Sequence, residues 1–268
     1  MSRLARTVLM YLKLGFGFAG LGVICLAWTP FALLFNVVLP RAPRQRLGRL
    51  AVVIGFRAYL RYLALIGVAH CDLSELDRLR DQGPMILAPN HPSLLDAVMV
   101  LSRLQNLTCI IKASLFDSVF FGAGARMAGY IRNDTLIGVV KNASVALNSG
   151  SQLLMFPEGT RTTEPPLNPL KGGLALTATR AGMPVQVLII ETDANFLGKG
   201  WSFFGGTDFP VRYRIRLGAR FDPPREATSF LPQLEAEMRA ELARGADQRA
   251  VNNCSASAPS RVPPEFPT

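Results

Sequence analysis

The feature that most constrains this chain is an uncharged stretch from Leu14 to Leu39, between Lys13 and Arg41. It exceeds the roughly 20 apolar residues that a helix needs to cross the hydrocarbon core of a bilayer. Its end has no small-residue cleavage site, which favours a retained anchor over a removed signal peptide. This part of the chain is therefore predicted to enter a membrane.

The charges around this segment leave its topology open. Basic residues stand on both sides of it: Arg3, Arg6 and Lys13 before it, and Arg41, Arg44, Arg46 and Arg49 after it. The positive-inside rule needs an asymmetry that these residues do not provide. Pro30, a little past the middle, would also permit a kinked hairpin that enters and leaves through one leaflet. A spanning helix and a hairpin are both compatible with the sequence.

Composition supports a membrane setting and limits the partners. Hydrophobic residues make up 49% of the chain, and 29 lysines and arginines against 19 acids give a net charge of +10. That charge favours an anionic partner: phospholipid head groups, a phosphorylated substrate or nucleic acid. Aromatic and basic residues are not interleaved as on an RNA-binding strand, so membrane phosphate is the preferred partner and nucleic acid is not expected.

Metal and nucleotide sites are not indicated. The chain has four scattered cysteines without a CxxC pair and only two histidines, His70 and His91. Neither a disulfide framework nor a His-built metal centre follows from such a set, and we expect no metal. The glycines at Gly122 and Gly124 are followed by Gly129, which is out of the GxGxxG spacing of a nucleotide loop.

A second apolar segment, from Ala51 to Ala69, carries Arg57 and Arg61 four residues apart. On a helix both guanidiniums would project from one side, while apolar residues line the other. This pattern predicts an interfacial helix. The alternative is a buried core helix whose arginines pair internally.

From about residue 70 the sequence alternates short apolar runs with helical stretches, which predicts an α/β domain around a largely buried sheet. The predicted strands contain residues 85–88, 108–111, 153–156 and 185–190, with a half-exposed strand at 213–217 and an amphipathic helix at 231–242. We therefore divide the chain into a membrane-anchoring part at 1–69, a catalytic domain at 70–244 and a tail at 245–268. The tail is rich in Ser, Pro, Ala and Asn and is predicted to be disordered.

The most informative stretch runs from Pro84 to Asp96, where a strand enters a turn marked by Pro89 and Pro92 and a helix starts near Ser93. On one continuous helix His91 and Asp96 would point about 140° apart. They can meet only if His91 lies in the loop before the helix, which Pro92 favours. The alternative is a helix N-terminal box, with Ser93 as the cap and Asp96 at the third position.

A second polar loop, residues 156–161, follows another apolar strand. The backbone N–H groups of Gly159 and Thr160 could face an anion or a developing oxyanion there, and Arg161 could bind a phosphate through two hydrogen bonds. The alternative is an ordinary turn formed by Pro157 and Gly159.

Residues 90–96, Asn-His-Pro-Ser-Leu-Leu-Asp, resemble the NHX4D motif of the glycerolipid acyltransferase family, which includes the bacterial lysophosphatidate acyltransferases. Residues 156–161, Phe-Pro-Glu-Gly-Thr-Arg, are similar to the FPEGTR block of the same family. The Lys171-Gly172 step and residues 182–185 resemble later landmarks. The resemblance covers roughly residues 70 to 220. It implies an α/β acyltransferase domain with a mainly parallel sheet flanked by helices, preceded by N-terminal membrane helices.

The resemblance implies transfer of a fatty acyl group from acyl-CoA or acyl-carrier protein to the hydroxyl of a lysophospholipid, without a cofactor. His91 would be the general base, and Asp96 would fix its tautomer and stabilise the imidazolium. The substrate supplies the attacking hydroxyl, which agrees with the absence of GxSxG. Glu158 and Gly159 would belong to the acceptor site. The implied location is a bacterial inner membrane with the catalytic domain on the cytoplasmic side.

The second block of the family is imperfect in this chain. Lys112 and the Gly129-Tyr130-Ile131 step match it, but Thr135 stands where the family commonly has its acceptor-phosphate arginine. Arg132 comes too early to be equated with that residue, although we retain Lys112 and Arg132 as candidate substrate-binding residues. A different hydroxyl-bearing lipid acceptor is therefore compatible with the sequence.

Two other functions fit the same residues. One is a membrane-attached lipid hydrolase in which His91 activates water. The other is a catalytically silent lipid-binding module that keeps the fold, which the presence of His91, Asp96 and Glu158 argues against.

Overall fold

The structure is a computed structural model that describes residues 3–202 and 207–256. The helices are α1 (Arg3–Val38), α2 (Arg41–Leu65), α3 (Leu95–Leu101), α4 (Ala113–Phe116), α5 (Gly122–Ala128), α6 (Leu136–Asn148), α7 (Gly173–Ala181) and α8 (Ala227–Ala256), with a 3-10 helix at Ser74–Leu79. The strands are β1 (Ala69–Asp72), β2 (Ile86–Pro89), β3 (Leu107–Lys112), β4 (Ile131–Asn133), β5 (Gln152–Leu154), β6 (Val185–Thr192) and β7 (Val211–Phe221).

The strands form one sheet in the order β1-β7-β6-β2-β5-β3-β4. Strands β2 to β6 are parallel, whereas β7 runs antiparallel to β6 and β1 pairs in parallel with β7. Parallel neighbours need crossover connections, which explains the alternation of helical and apolar segments in the sequence. The predicted α/β class and mainly parallel sheet are confirmed. We call the edge at which β2 to β6 end the carboxyl edge.

The core lies on both faces of this sheet. Successive strand residues point to opposite faces, so Leu87 and Leu154 belong to one hydrophobic cluster while Ile86 and Leu153 belong to another. The first cluster includes residues of α1, α2 and α3, and the second includes residues of α6, α7 and α8. Burial on both faces explains the continuous apolar runs of β2 and β6. By contrast, the start of β7 alternates buried and exposed residues, as its period-two sequence predicted.

The helices α1 and α2 form an antiparallel pair. The chain reverses at Leu39 and Pro40, after α1 has continued through Pro30, so no hairpin forms inside the apolar stretch. Gly20 lies so close to the Tyr62 ring that a Cβ there would be 2.4 Å from it. Among the described residues one helix, with its candidate span at Thr7–Val38, is long and apolar enough to cross a bilayer, and 6% of its most apolar window is buried.

Helix α2 begins at Arg41, ten residues before the predicted start at Ala51, and ends at Leu65 rather than Ala69. Its first turns carry four arginines, which interrupt the apolar pattern on which the prediction rested. Tyr59, Leu60 and Leu63 are buried in the same cluster as the sheet. The helix is therefore a packed core helix, and the boundary at residue 70 does not separate two independent cores.

The arginines of α2 bind neutral acceptors. The Nε of Arg57 donates to the Ser102 carbonyl at 2.7 Å. Arg49 donates to the Ala128 carbonyl at 3.0 Å and to the Thr108 hydroxyl at 2.6 Å. These bonds join α2 to the sheet and to α5. The helix therefore packs in the core, as the alternative prediction had it, but Arg49 and Arg57 bind groups of other elements instead of pairing internally.

Helix α8 is longer than the sequence predicted. Helix α8 continues through the predicted 231–242 helix to Ala256, so the predicted tail begins as helix at 245. Gly245 packs near the ion pair between Glu191 and Arg216, which gives this part of α8 a contact with the sheet. The rest of the predicted tail, residues 257–268, lies outside the described residues.

Candidate active site

Two loops meet at the centre of the carboxyl edge. One follows β2 and leads into α3, and the other follows β5. Because β2 and β5 are hydrogen-bonded neighbours, the residues after them are adjacent in space although they are more than 60 positions apart in the sequence. The two polar motifs of the sequence occupy these two loops.

Asn90 sets the direction in which the chain leaves β2. Its side-chain amide donates to the Ile190 carbonyl at 3.0 Å and accepts from the Ile190 N–H at 2.7 Å. A primary amide has the same donor and acceptor as a peptide group, so this pair extends the β2–β6 pairing by one step beyond Pro89. The next residue, His91, is therefore presented from a fixed backbone.

His91 and Asp96 form a hydrogen-bonded pair, with 2.8 Å between Nδ1 and Oδ2. Asp96 is fully buried, while the side chain of His91 keeps 16% of its surface exposed. The ring of His91 also stacks on Phe156, with centroids 3.9 Å apart. With Nδ1 bound to the carboxylate, Nε2 is the nitrogen left to take a proton from a substrate.

The same carboxylate also serves the helix start. Oδ2 of Asp96 accepts the Ser93 N–H at 2.8 Å, so the capping alternative and the His–Asp pair coexist. Helix α3 begins at Leu95 with Leu94 at its N-cap, two residues later than the sequence suggested. Among the described residues Oδ1 of Asp96 is buried without a hydrogen-bond partner.

The protonation of Asp96 reflects these surroundings. Burial raises its pKa to about 6, and the hydrogen bond from His91, the charge of that ring and the Ser93 N–H act in the opposite direction. Desolvation disfavours the charged form of a carboxyl group, while bound donors favour it. At neutral pH the group is mostly ionised and can stabilise a protonated His91.

Glu158 lies beneath His91 and is itself buried. Its carboxylate accepts the backbone N–H of His91 and that of Asn168, both at 2.9 Å, and the Thr162 hydroxyl at 2.8 Å. The Thr162 N–H in turn donates to the His91 carbonyl at 2.8 Å. Both backbone polar groups of His91 are therefore bound by the segment that begins at Glu158.

A third loop, residues 193–201 after β6, closes the other side of the site. The hydroxyls of Ser93 and Tyr213 both donate to the Phe196 carbonyl, at 2.9 and 3.1 Å. Nη1 of Arg161 donates to the carbonyls of Leu197 and Gly198, each at 2.8 Å. Arg161 thus joins the second motif to this loop.

Gly159 adopts a left-handed conformation with φ +67 and lies under the side chain of Lys171. A Cβ at Gly159 would be 2.8 Å from Cδ of Lys171 and 3.2 Å from its Nζ. The dihedral angle requires glycine here, whereas the exposed Lys171 side chain could move aside for a Cβ. Lys171 is exposed and adds a cation at the loop, next to the half-buried Thr160.

Comparisons with known proteins identify relatives of this chain. The model of a family described as Acyltransferase matches residues 70–191. A lyso-ornithine lipid O-acyltransferase of Pseudomonas aeruginosa is 32% identical over 62% of this chain and 66% of its own length. A 1-acyl-sn-glycerol-3-phosphate acyltransferase of the same organism is 25% identical over 88% of both chains. The chain belongs to the glycerolipid acyltransferase family.

A solved structure shows the same fold. The crystal structure of the 1-acyl-sn-glycerophosphate acyltransferase of Thermotoga maritima superimposes with a TM-score of 0.62, covering 91% of this chain and 97% of that one, at 18% identity. Some relatives are longer, and the chain spans 55% and 39% of the length of two further acyltransferases that it matches.

Of the site residues predicted from the sequence, the structure brings together His91, Asp96, Glu158 and Arg161. Gly159 and Thr160 lie on the same loop. Lys112 and Arg132 lie elsewhere on the carboxyl edge, because β3 and β4 are two and three strands from β2, or about 10 and 14 Å. Arg132 is also paired with Asp117, at 2.6 Å, and with Asp134.

Several site residues of this family member were not found from the sequence. Thr162 and Tyr213 donate to the His91 and Phe196 carbonyls, and Asn168 donates its backbone N–H to Glu158. No local sequence pattern reports such bonds. Lys171 was noted only as part of a basic-glycine step, and its proximity to Gly159 needs the fold. Within residues 3–202 and 207–256, no cluster of three or more His, Cys, Asp or Glu side chains is arranged to hold a metal ion.

Proposed function

We propose that this protein is a membrane-associated O-acyltransferase that moves a fatty acyl group from a thioester to the hydroxyl of a lysolipid. The observation that carries the proposal is the His91–Asp96 pair, in which a buried carboxylate binds Nδ1 at 2.8 Å and leaves Nε2 available. Such a pair is the base and orienting acid of acyl transfer. The donor would be acyl-CoA or acyl-carrier protein.

The reaction balances without an enzyme nucleophile. The lipid hydroxyl oxygen attacks the thioester carbonyl carbon while Nε2 of His91 takes the hydroxyl proton. Collapse of the tetrahedral intermediate forms the ester and breaks the carbon–sulfur bond. The protonated His91, stabilised by ionised Asp96, returns the proton to the departing thiolate. The backbone N–H of Thr160 is suited to the developing oxyanion, whereas that of Gly159 already donates to the Phe156 carbonyl at 3.1 Å.

The acceptor is proposed to be anionic and lysophospholipid-like. Arg161 would contribute its remaining N–H groups, because the contacts found for it use Nη1. Lys171 lies beside Gly159 and Lys112 ends β3, and both are exposed. Arg132 is less suited, since two carboxylates already bind it. The relatives include a lyso-ornithine lipid acyltransferase, so an amino-acid lipid is a second acceptor to test.

The contacts of α1 support a proposal for its arrangement in the membrane. Its Lys13 ammonium donates to the Gly67 carbonyl, and its Asn36 amide donates to the Ala123 carbonyl, both at 3.0 Å. A helix that contacts the domain near both of its ends does not extend away from the domain across a bilayer. We therefore propose that α1 lies in one leaflet, on the cytoplasmic side of a bacterial inner membrane where acyl thioesters are available.

Mass spectrometry of lipid products tests this function. The purified protein is supplied with acyl-CoA or acyl-carrier protein and with lysophosphatidate, a lyso-amino-acid lipid or no acceptor. Acceptor-dependent thiol release with a matching new diacyl lipid is expected, and His91→Ala should abolish both. Thiol release that does not need an acceptor would indicate the hydrolase, and no turnover with any acceptor would indicate a silent lipid-binding module.

A further inference from the structure

A group of exposed apolar side chains lies outside the site and the N-terminal helices. Large apolar residues elsewhere in the domain are mostly buried, whereas these keep about half or more of their surface exposed. They are Leu115 (45%), Val119 (73%), Phe120 (49%), Leu136 (54%) and Ile137 (83%). We call them the β3–β4 patch. Contiguous apolar patches on a protein surface usually mark an interaction site.

The β3–β4 patch lies on the carboxyl edge. Its first three residues follow the end of β3, and its other two form the first turn of α6, directly after β4. The strands β3 and β4 are parallel neighbours, so the two segments lie side by side. Arg132 joins them, because it pairs with Asp117 in the first segment and with Asp134 before the second.

The patch is continuous with the apolar surface of α1. Helix α5 starts at Gly122, two residues after Phe120, and the carbonyl of Ala123 accepts a hydrogen bond from Asn36 of α1. The last residues of α1, Val37 and Val38, are 87% and 64% exposed. The face that α1 offers to lipid therefore extends onto the catalytic domain.

The charged residues beside the patch are mostly basic and favour an anionic membrane as its partner. Residues 112–141 carry four basic side chains and two acidic ones, and both acids are bound by Arg132. Among the described residues no carboxylate lies within salt-bridge distance of Lys112 or Lys141. Exposed cations around apolar side chains are the composition of a surface that binds anionic lipid head groups.

We propose that the β3–β4 patch inserts into the interfacial region of an anionic bilayer and is a second membrane contact of the catalytic domain. Together with α1 it would place the carboxyl edge, and hence His91, against the leaflet. A lipid hydroxyl could then reach Nε2 without the lipid leaving the bilayer. The docking itself does not depend on the proposed acyl transfer, and it is tested without measuring that reaction.

A polarity-sensitive fluorophore reports the insertion. It is attached to the full chain at Ile137→Cys or at Val145→Cys, after replacement of the four native cysteines. Val145 is a matched control because it is 56% exposed on the same helix, eight residues or about 12 Å further along. Vesicles of phosphatidylcholine with phosphatidylglycerol, containing a lipid-borne nitroxide quencher, should quench and blue-shift the label at 137 and leave the label at 145 unaffected.

A set of uncharged polar variants gives an independent measurement. Val119→Asn/Ile137→Asn should lower partitioning into the same vesicles on the order of tenfold, while Val145→Asn should leave it unchanged. Equal quenching at 137 and 145, or equal partitioning of the two variants, would overturn the proposal. Equal quenching in pure phosphatidylcholine would overturn the anionic preference. If the double asparagine variant does not fold by circular dichroism, the label measurement decides.

Discussion

The centre and the outer part of the carboxyl edge are built differently. At the centre, after β2 and β5, both backbone groups of His91 are bound, and the carboxylates of Asp96 and Glu158 are buried. In the outer part, after β3 and β4, apolar side chains are exposed, and the ion pairs of Arg132 face solvent. The difference shows that positional accuracy is concentrated at the His91–Asp96 pair, where the proposed mechanism moves a proton.

The energetics of the two regions should differ in the same way. A buried group that loses its partner costs about 1–3 kcal/mol, because water cannot replace the lost bond. An exposed ion pair contributes little, because its charges remain solvated and screened. Substitutions at the centre should therefore change turnover strongly, and polar substitutions in the outer part should change it weakly.

The largest effect is expected for His91→Ala, which removes the proposed base. Turnover should fall by roughly 10²–10⁴, the contribution of a general base, with vesicle binding unchanged. His70→Ala is the control, because the chain's other histidine is exposed on β1 at the opposite side of the sheet. Comparable losses in both variants, measured by thiol release, would remove His91 from the mechanism.

Asp96→Asn should reduce turnover by about a hundredfold or more, because the amide can hold the wrong tautomer and carries no charge to stabilise protonated His91. Asparagine keeps the size. With its oxygen at the Oδ2 position it still accepts the Ser93 N–H, so the helix start persists and the loss of charge alone lowers turnover. With its NH2 group at that position it holds the wrong tautomer, and the Ser93 N–H loses its partner. If Asp96 only caps α3, acyl transfer by the variant should remain close to that of the unmodified protein.

The pH dependence of stability gives a second measurement on Asp96→Asn. Burial raises the folded-state pKa of Asp96 to about 6 from an ordinary 3.8, so the folded protein binds this proton more tightly than the unfolded chain. The stability contributed by Asp96 is therefore present below its ordinary pKa and lost as the pH rises through about 6. As the pH rises over this range, the Tm of Asp96→Asn should increase relative to the Tm of the unmodified protein. A difference in Tm that does not vary with pH would contradict the raised pKa.

Glu158→Gln should have an intermediate effect. The amide nitrogen cannot accept, so one of the N–H groups of His91 and Asn168 would lose its partner. We expect turnover to fall on the order of tenfold through misplacement of His91, with the KM for the acceptor unchanged. Glu164→Gln, on the exposed part of the same loop, is the control. An increase in KM at constant turnover would instead support the acceptor-binding role implied by the family resemblance.

The smallest effect is expected for Arg132→Ala. Its partners Asp117 and Asp134 are exposed, so loss of these pairs should change the acceptor KM by less than about twofold. Arg161→Ala is the comparison, and its KM for a phosphorylated lipid should rise distinctly more. If Arg132→Ala raises KM as much as Arg161→Ala does, Arg132 is a substrate ligand and the distinction between centre and outer part fails.

The sequence was most informative where structure follows from nearby residues. Apolar runs predicted the strands, and Pro92 placed His91 in the loop before α3, as its bond to Asp96 requires. Interactions between distant residues could not be read in this way. The bond from the His91 N–H to Glu158 joins positions 67 residues apart, and the start of α2 was hidden because its arginines bind carbonyls and hydroxyls of other elements.

The packing of α2 has a practical consequence for preparing the protein. Tyr59, Leu60 and Leu63 belong to the hydrophobic core, and Leu14 of α1 is buried against them. A truncated chain that starts at residue 70 would expose this surface and should aggregate rather than yield a water-soluble enzyme. Detergent-free preparation should instead start from the full chain, with polar replacements at lipid-facing positions such as Val23, Phe31 and Leu34, whose side chains are exposed.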